Sequence, residues 1–303
     1  MNGVYARFIV VLFVLLAVTL CPGYSSIGAD TPKEGIEIGQ PVHTSGELIV
    51  EAQSIRQHGR GPRHDYVFAV TFTERDVTDS VQIEGVLIEP HEARVEVFDA
   101  NHHIVIALSS LRWATVMAVV DKDIGEQAEQ LEAHDSPVIS PDGRRMAYSS
   151  FIHRRTPSQH VRQTMLVYDF AGAAPPVRQV FPVEDNDEDM NNRRYRTDLA
   201  PPLWDAGGDE LVFLASEQTT NTMKLVRVTD MERPVVHSRV IEIAPFMYRE
   251  DRRRRYFGPD ATREPLEWFG ARKLEWIDAA TIKAYVAGAG SGMLKEELVL
   301  ELP

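Results

Sequence analysis

Cysteine is almost missing from this 303-residue chain, which has only Cys21. One thiol excludes an intrachain disulfide and a Cys-based zinc cluster, so the fold must rely on its core. Positive charge is scarce too. With 32 Lys and Arg against 45 Asp and Glu, the net charge is −13. So acidic a chain lacks the basic footprint that general nucleic-acid binding needs. Helix punctuation is sparse, and beyond the amino terminus the apolar residues come in short alternating runs. The hydrophobic share of 44% is ample for a core.

The amino terminus is a processing signal. Arg7 supplies a positive start, Phe8 to Leu20 is an apolar run, and Ser25-Ser26-Ile27-Gly28-Ala29 offers small residues for cleavage. The run is too short to prefer a spanning helix, so residues 1–29 are read as a secretory signal peptide. The protein is therefore expected in the periplasm or extracytoplasmic envelope. Cys21 closes the run. A bacterial lipobox wants a small residue before the cysteine, and Leu20 stands there. Cys21 is read as an inert part of a discarded signal. A lipid on it, or an uncleaved signal, is the expected route to any membrane contact. Residues 30–45, polar with Gly and Pro, read as a linker, and residues 46–303 as one all-β domain.

Within that domain the strands alternate. Glu47 to Glu51, Tyr66 to Thr73, Val81 to Ile88, Val95 to Phe98, His103 to Leu108 and Trp113 to Val120 all read as strands. Residues 57–64, with Gly59, Gly61 and Pro62, read as a loop. Ile124 to Ala133 is the one segment with clear helix propensity, and it reads as a loop with a helical turn.

The most informative stretch is Pro137-Val138-Ile139-Ser140-Pro141-Asp142-Gly143-Arg144-Arg145-Met146-Ala147-Tyr148. It has the form of a strand, a Pro-Asp-Gly turn and a second alternating strand. Pro202 to Phe213 aligns to it without a gap, 65 residues on. Partner strands follow in both, at Met165 to Asp169 and at Lys224 to Val228. Gly207 takes the place of Asp142, so the Asp reads as dispensable to the repeat. Weaker copies lie at Val97 to Ala107 and at Leu274 to Val286, the second with its apolar parity shifted by one.

Ser-Pro-Asp-Gly-Arg-Arg-Met-Ala-Tyr, with Pro137 before it, resembles the blade motif of TolB-type propellers, also called WD40-like or PD40 repeats. The resemblance covers residues 136–170 and 201–230. It implies a β-propeller of four-stranded antiparallel blades. The family pattern is six blades and an N-terminal domain, for which this chain is short. Four to six blades are expected, in a ring that need not be complete.

Candidate sites are few. Asp185, Asp187 and Asp189 imitate the first ligands of a calcium loop. Met190 stands where the turn Gly belongs and Arg196 where the bidentate Glu belongs, so a solvated insertion from Glu184 to Arg196 explains them better. Arg252-Arg253-Arg254-Arg255-Tyr256 is the strongest basic run in an acidic chain, suited to an acidic peptide or other anionic partner. His102 and His103 are strand neighbours that point to opposite faces, which argues against a shared metal. His153, His160 and His64-Asp65 lack a partner pattern. Gly288 to Gly292 reads as a hairpin. Its Ser291 lacks the flanking glycines of a nucleophile elbow. Trp113, Trp204, Trp268 and Trp276 read as inter-blade core.

The expectation is an exported, non-catalytic module that binds a protein or peptide in the cell envelope and needs no cofactor. The alternative is a hydrolase with paired carboxylates in a propeller channel, as in glycoside chemistry.

Overall fold

A computed structural model describes residues 35–46, 48–60, 62–72, 77–110, 115–123, 127–152, 162–171, 176–182, 195–197, 200–217, 222–241, 269–288 and 295–303. These residues form strands joined by turns and bends. The first sheet runs β1 (Pro41–Ser45), β2 (Leu48–His58), β3 (Arg63–Phe72), β4 (Val77–Val86). The second runs β5 (Arg94–Ala100), β6 (His103–Ser109), β7 (Thr115–Asp121), β8 (Gln127–Ala133). The third runs β9 (Val138–Ile139), β10 (Arg145–Ile152), β11 (Arg162–Asp169), β12 (Val177–Phe181).

In the fourth sheet the first strand is split. Both β13 (Tyr195–Arg196) and β14 (Leu203–Trp204) pair with β15 (Leu211–Glu217), which continues to β16 (Thr222–Thr229) and β17 (Val235–Ile241). The fifth sheet has three strands, β18 (Phe269–Asp278), β19 (Thr281–Gly288) and β20 (Lys295–Glu301). Every pairing is antiparallel between strands close in sequence, which is the blade arrangement of a β-propeller.

The repeat read from the sequence is a repeat in register. Met146 pairs with Ile139 and Ala147 with Val138, while Leu211 pairs with Trp204 and Val212 with Leu203. These are the same pairs displaced by the gapless spacing. The parity shift in the last copy also has a cause. β18 carries β-bulges between Ala271 and Lys273 and between Trp276 and Asp278, and an extra residue flips the side chains that follow it.

Four expectations are corrected. Gln127–Ala133 is a strand, not a helical loop. Its burial alternates, with Leu131 and Ala133 inside, and pairing to β7 overrides the propensity of Gln, Glu and Ala for helix. Pro41–Ser45, assigned to a linker, is an edge strand of the first sheet, held to β2. Residues 57–58 and 63–64, read as part of a loop, pair across a hairpin: β2 and β3 run as far as His58 and Arg63, and Gly59 has a φ of +68°. Tyr195 and Arg196, at the end of the polar insertion, form β13.

The core lies in seams between successive sheets. Tyr66, Phe68, Ile83, Ile104, Ile106 and Leu108 fill the first seam, and Val105, Met117, Met146 and Tyr148 the second. Phe181, Trp204, Phe213 and Val226 fill the third, and Val212, Leu225, Leu274, Ile282 and Leu300 the fourth. Alternation decides this: even-numbered and odd-numbered residues of one strand serve opposite seams. Among the described residues no core cluster joins the fifth sheet to the first. The far face of the fifth sheet carries Lys283, Glu297, Val299 and Glu301.

Candidate functional site

Antiparallel order sorts the connections between two ends of the sheets. At one end lie the turns of β5–β6, β9–β10, β14–β15, β16–β17 and β18–β19. At the other end the chain leaves β10 for β11, β12 for β13, β17 for β18 and β19 for β20.

The first end is a hydrogen-bonded girdle. In the β9–β10 turn, Gly143 N–H donates to Ser140 O at 2.9 Å and Ser140 N–H to Arg145 O at 2.8 Å. The Ser140 hydroxyl donates to Asp142 Oδ1 at 2.5 Å, and Asp142 Oδ1 accepts Arg144 N–H at 3.1 Å. In the β14–β15 turn, Asp205 stands at the position of Ser140 and serves both functions. Its carboxylate accepts N–H groups from Gly207 (3.1 Å), Asp209 (2.8 Å) and Glu210 (2.8 Å). The second copy thus closes its turn with no carboxylate at the place of Asp142, and supplies one from the place of Ser140 instead.

Two of these turns also grip the next. Asn101, in the β5–β6 turn, donates from Nδ2 to Asp142 O at 2.7 Å. Arg145 donates from Nη1 to Gly208 O at 2.8 Å and to Asp209 Oδ1 at 3.2 Å, and its side chain is only 12% exposed. A Cβ on Gly143 would lie 2.7 Å from the Asn101 side chain, and one on Gly208 2.7 Å from Asp142 Oδ1. Asp142 and Asp205 are therefore engaged as turn acceptors. Arg145, Asp169, Arg178 and Glu232 border a small crevice between the third and fourth sheets.

The histidines divide as strand geometry requires. His102 is exposed and its Nδ1 lies 3.0 Å from Asp123 Oδ2. His103 is turned inward, stacked on Phe170 with ring centroids 5.1 Å apart, and its buried Nδ1 has no hydrogen-bond partner. Burial lowers its pKa, against the pull of Asp121. The pairing that periodicity did not reveal is His58 with Asp65 across the β2–β3 hairpin, at 2.9 Å. The Gly85 N–H bound to Asp65 Oδ1, and then His58, hold that carboxyl below its ordinary range. Among the described residues no group of three or more His, Cys, Asp or Glu could hold a metal ion.

Several predicted residues lie outside the described ones: Cys21, Asp185, Asp187, Asp189, Arg252 to Tyr256, His153, His160, Trp113 and Trp268. Trp204 and Trp276 are inter-blade, as expected. Trp204 is buried and donates from Nε1 to Val138 O at 3.0 Å, and Trp276 donates to Trp204 O at 2.7 Å.

Sequence reasoning missed the outer rim of the last two sheets. The fourth sheet ends in β17, whose residues from His237 to Val240 are all exposed. Elsewhere an outer strand is covered by the next sheet. The β4 edge, for example, meets β8, where Gln82 N–H and Glu84 N–H donate to Gln127 Oε1 and Gln130 Oε1, both at 2.9 Å. The fifth sheet stops at β20, which pairs only with β19 among the described residues. Val299 of β20 is 64% exposed and Val235 of β17 46%. Arg239 of β17 spans this gap to Glu301 of β20 at 3.6 Å.

No protein-family model matches the chain, and no curated protein matches it. Several solved structures do. The tricorn protease matches at 13% identity and TM-score 0.40, over 89% of this chain and 29% of that one. A prolyl oligopeptidase B from Galerina marginata, bound to a 35mer hydrolysis and macrocyclization substrate, matches at 9% identity and TM-score 0.38, over 84% of this chain and 38% of that one. The β-propeller domain of the Trilobed protease from Pyrococcus furiosus, described as having an open velcro topology, matches at 9% identity and TM-score 0.32, over 89% of this chain and 82% of that one. The chain spans well under half the length of the two whole proteases.

Proposed function

We propose that this chain is an exported β-propeller of the TolB-like kind that binds a protein or peptide in the cell envelope, without catalysis of its own. One observation carries the reading, the division of labour between the two ends of the sheets. The girdle end is closed by short turns whose polar groups bond one another. The long connections leave from the opposite end: β12 hands over to β13 across the acidic run, and β17 to β18 across Arg252 to Arg255. A rigid scaffold with its long connections gathered at one end is how loop-based recognition is built. Export is supported by the amino-terminal signal pattern. A carboxylate-pair hydrolase has less support, because Asp142 and Asp205 are engaged in their own turns.

The test is a pull-down from envelope extract with the wild-type chain and with R252S/R253S/R254S/R255S. Wild type is expected to retain a defined partner, and the quadruple variant to lose it or hold it in a salt-sensitive remnant. If neither captures a partner, the reading fails.

A further inference from the structure

We propose that the tip of the β2–β3 hairpin is a cationic finger that grips an extended acidic segment of the partner. This rests on the binding-module reading and names one site and one class of partner for it. The hairpin lies at the end from which the long connections leave. Gln82 and Glu84 of β4 bond to Gln127 and Gln130 of β8 in the same order, so the first two sheets share one orientation. The β2–β3 connection therefore sits opposite the girdle. Its tip is basic in a chain of net charge −13. Arg56, His58, Arg60 and Arg63 are all exposed, and Gly59, with its φ of +68°, and Pro62 shape the turn among them.

Register gathers the guanidinium groups. Arg56 pairs with Asp65 and His58 with Arg63, so all four share one face, and Arg56 and Arg63 are diagonal neighbours across it. Asp65 does not neutralise them. Its Oδ2 lies 2.9 Å from His58 Nδ1 and its Oδ1 accepts Gly85 N–H at 2.7 Å, so the carboxylate opposite Arg56 is committed elsewhere. Among the described residues no carboxylate forms an ion pair with Arg56, Arg60 or Arg63. Diagonal neighbours in an antiparallel pair lie about 7–8 Å apart. Side chains two apart on an extended chain recur at about 7 Å. A segment with acidic residues at alternate positions therefore meets Arg56 and Arg63 in turn, each offering a fork that fits a carboxylate. Arg60, at the turn, takes a third. A membrane or a nucleic acid would present its charge to the whole acidic molecule, a short acidic segment only to the hairpin. From His58 to Arg63 there is also no large apolar side chain to enter a bilayer.

The probe is the peptide Gly-Glu-Ser-Glu-Ser-Glu-Gly-amide with a neutral fluorophore on its amino terminus, and the same sequence carrying Gln for Glu is its comparison. Binding to the full chain is followed by fluorescence anisotropy. At low salt the Glu peptide is expected to bind about fivefold tighter than the Gln peptide, the ratio two exposed ion pairs supply. That margin should vanish by about 0.5 M salt. R56Q/R63Q is expected to abolish the preference. H58A removes no guanidinium but releases Asp65 to pair with Arg56, and is expected to weaken the Glu peptide about twofold. R60Q, with a loss of about twofold, serves if the double variant does not fold. The proposal is overturned by no binding up to about 1 mM, by equal binding of both peptides, or by a preference that survives R56Q/R63Q. It is also overturned if phosphatidylglycerol vesicles bind through Arg56 and Arg63 while the peptide does not, since a membrane would then be the partner. Should the pull-down retain a partner while the peptide test fails, only the hairpin assignment falls.

Discussion

Asp205 shows how one side chain can replace two. In the third sheet a hydroxyl and a carboxylate share the closing of the turn, and in the fourth a single carboxylate accepts three backbone N–H groups. Asp205→Ala should therefore destabilise by about 1–3 kcal/mol, the cost of leaving such donors without their partner, and Asp205→Asn by less, as read by urea unfolding. Gly208 tests the girdle between turns. Its φ of +74° already disfavours a side chain, and a Cβ would press on Asp142. Gly208→Ala should cost about 1–3 kcal/mol, and part of that should return in D142A/G208A; strict additivity would show that the turns do not touch. His103 and His43 set a pH dependence. Burial lowers both pKa values, so the unfolded chain binds more protons than the native one once pH falls below the free histidine value. Stability is thus flat above about pH 6.5 and declines on acidification through that range. His103→Gln should flatten the decline in a pH series of thermal melts. Asp65, whose pKa is also lowered, loses its contribution only at lower pH, in the carboxylate range.

Strand β8 illustrates what a sequence can conceal. Gln, Glu and Ala favour helix locally, yet Gln127 and Gln130 sit on an outer strand and serve as backbone surrogates, closing the β4 edge from the neighbouring sheet. Gln130→Ala should speed hydrogen exchange at Glu84 and cost about 0.5–1.5 kcal/mol; an unchanged Glu84 amide would refute the sealing role. The turn-and-strand unit at Pro137 to Tyr148 and its copy at Pro202 to Phe213 were legible down to the register, because turn chemistry and alternation leave marks in adjacent residues. The weaker copies were legible as strands but not in phase, since a bulge such as that at Trp276 to Asp278 shifts parity without altering composition. The edge strand β17 was not legible as one element, because residues exposed on both faces need not alternate.

Seams between neighbours, rather than one central core, hold the five sheets, so stability should be distributed as in a nearest-neighbour array. Leu225 is wholly buried in the seam between the fourth and fifth sheets. Leu225→Ala should cost about 2–5 kcal/mol and lower hydrogen-exchange protection in β18 to β20 first. Strands β2, β3 and β6, buried in the first seam, should keep theirs. Uniform loss across all sheets would show a single cooperative unit instead. The girdle of turns has a practical consequence for anyone modifying the molecule. Because the side chains of Asn101 and Arg145 reach the turn of the next sheet, a residue inserted at that end would break two sheets at once. Affinity tags, fluorophores and grafted epitopes therefore belong away from the turns of β5–β6, β9–β10 and β14–β15.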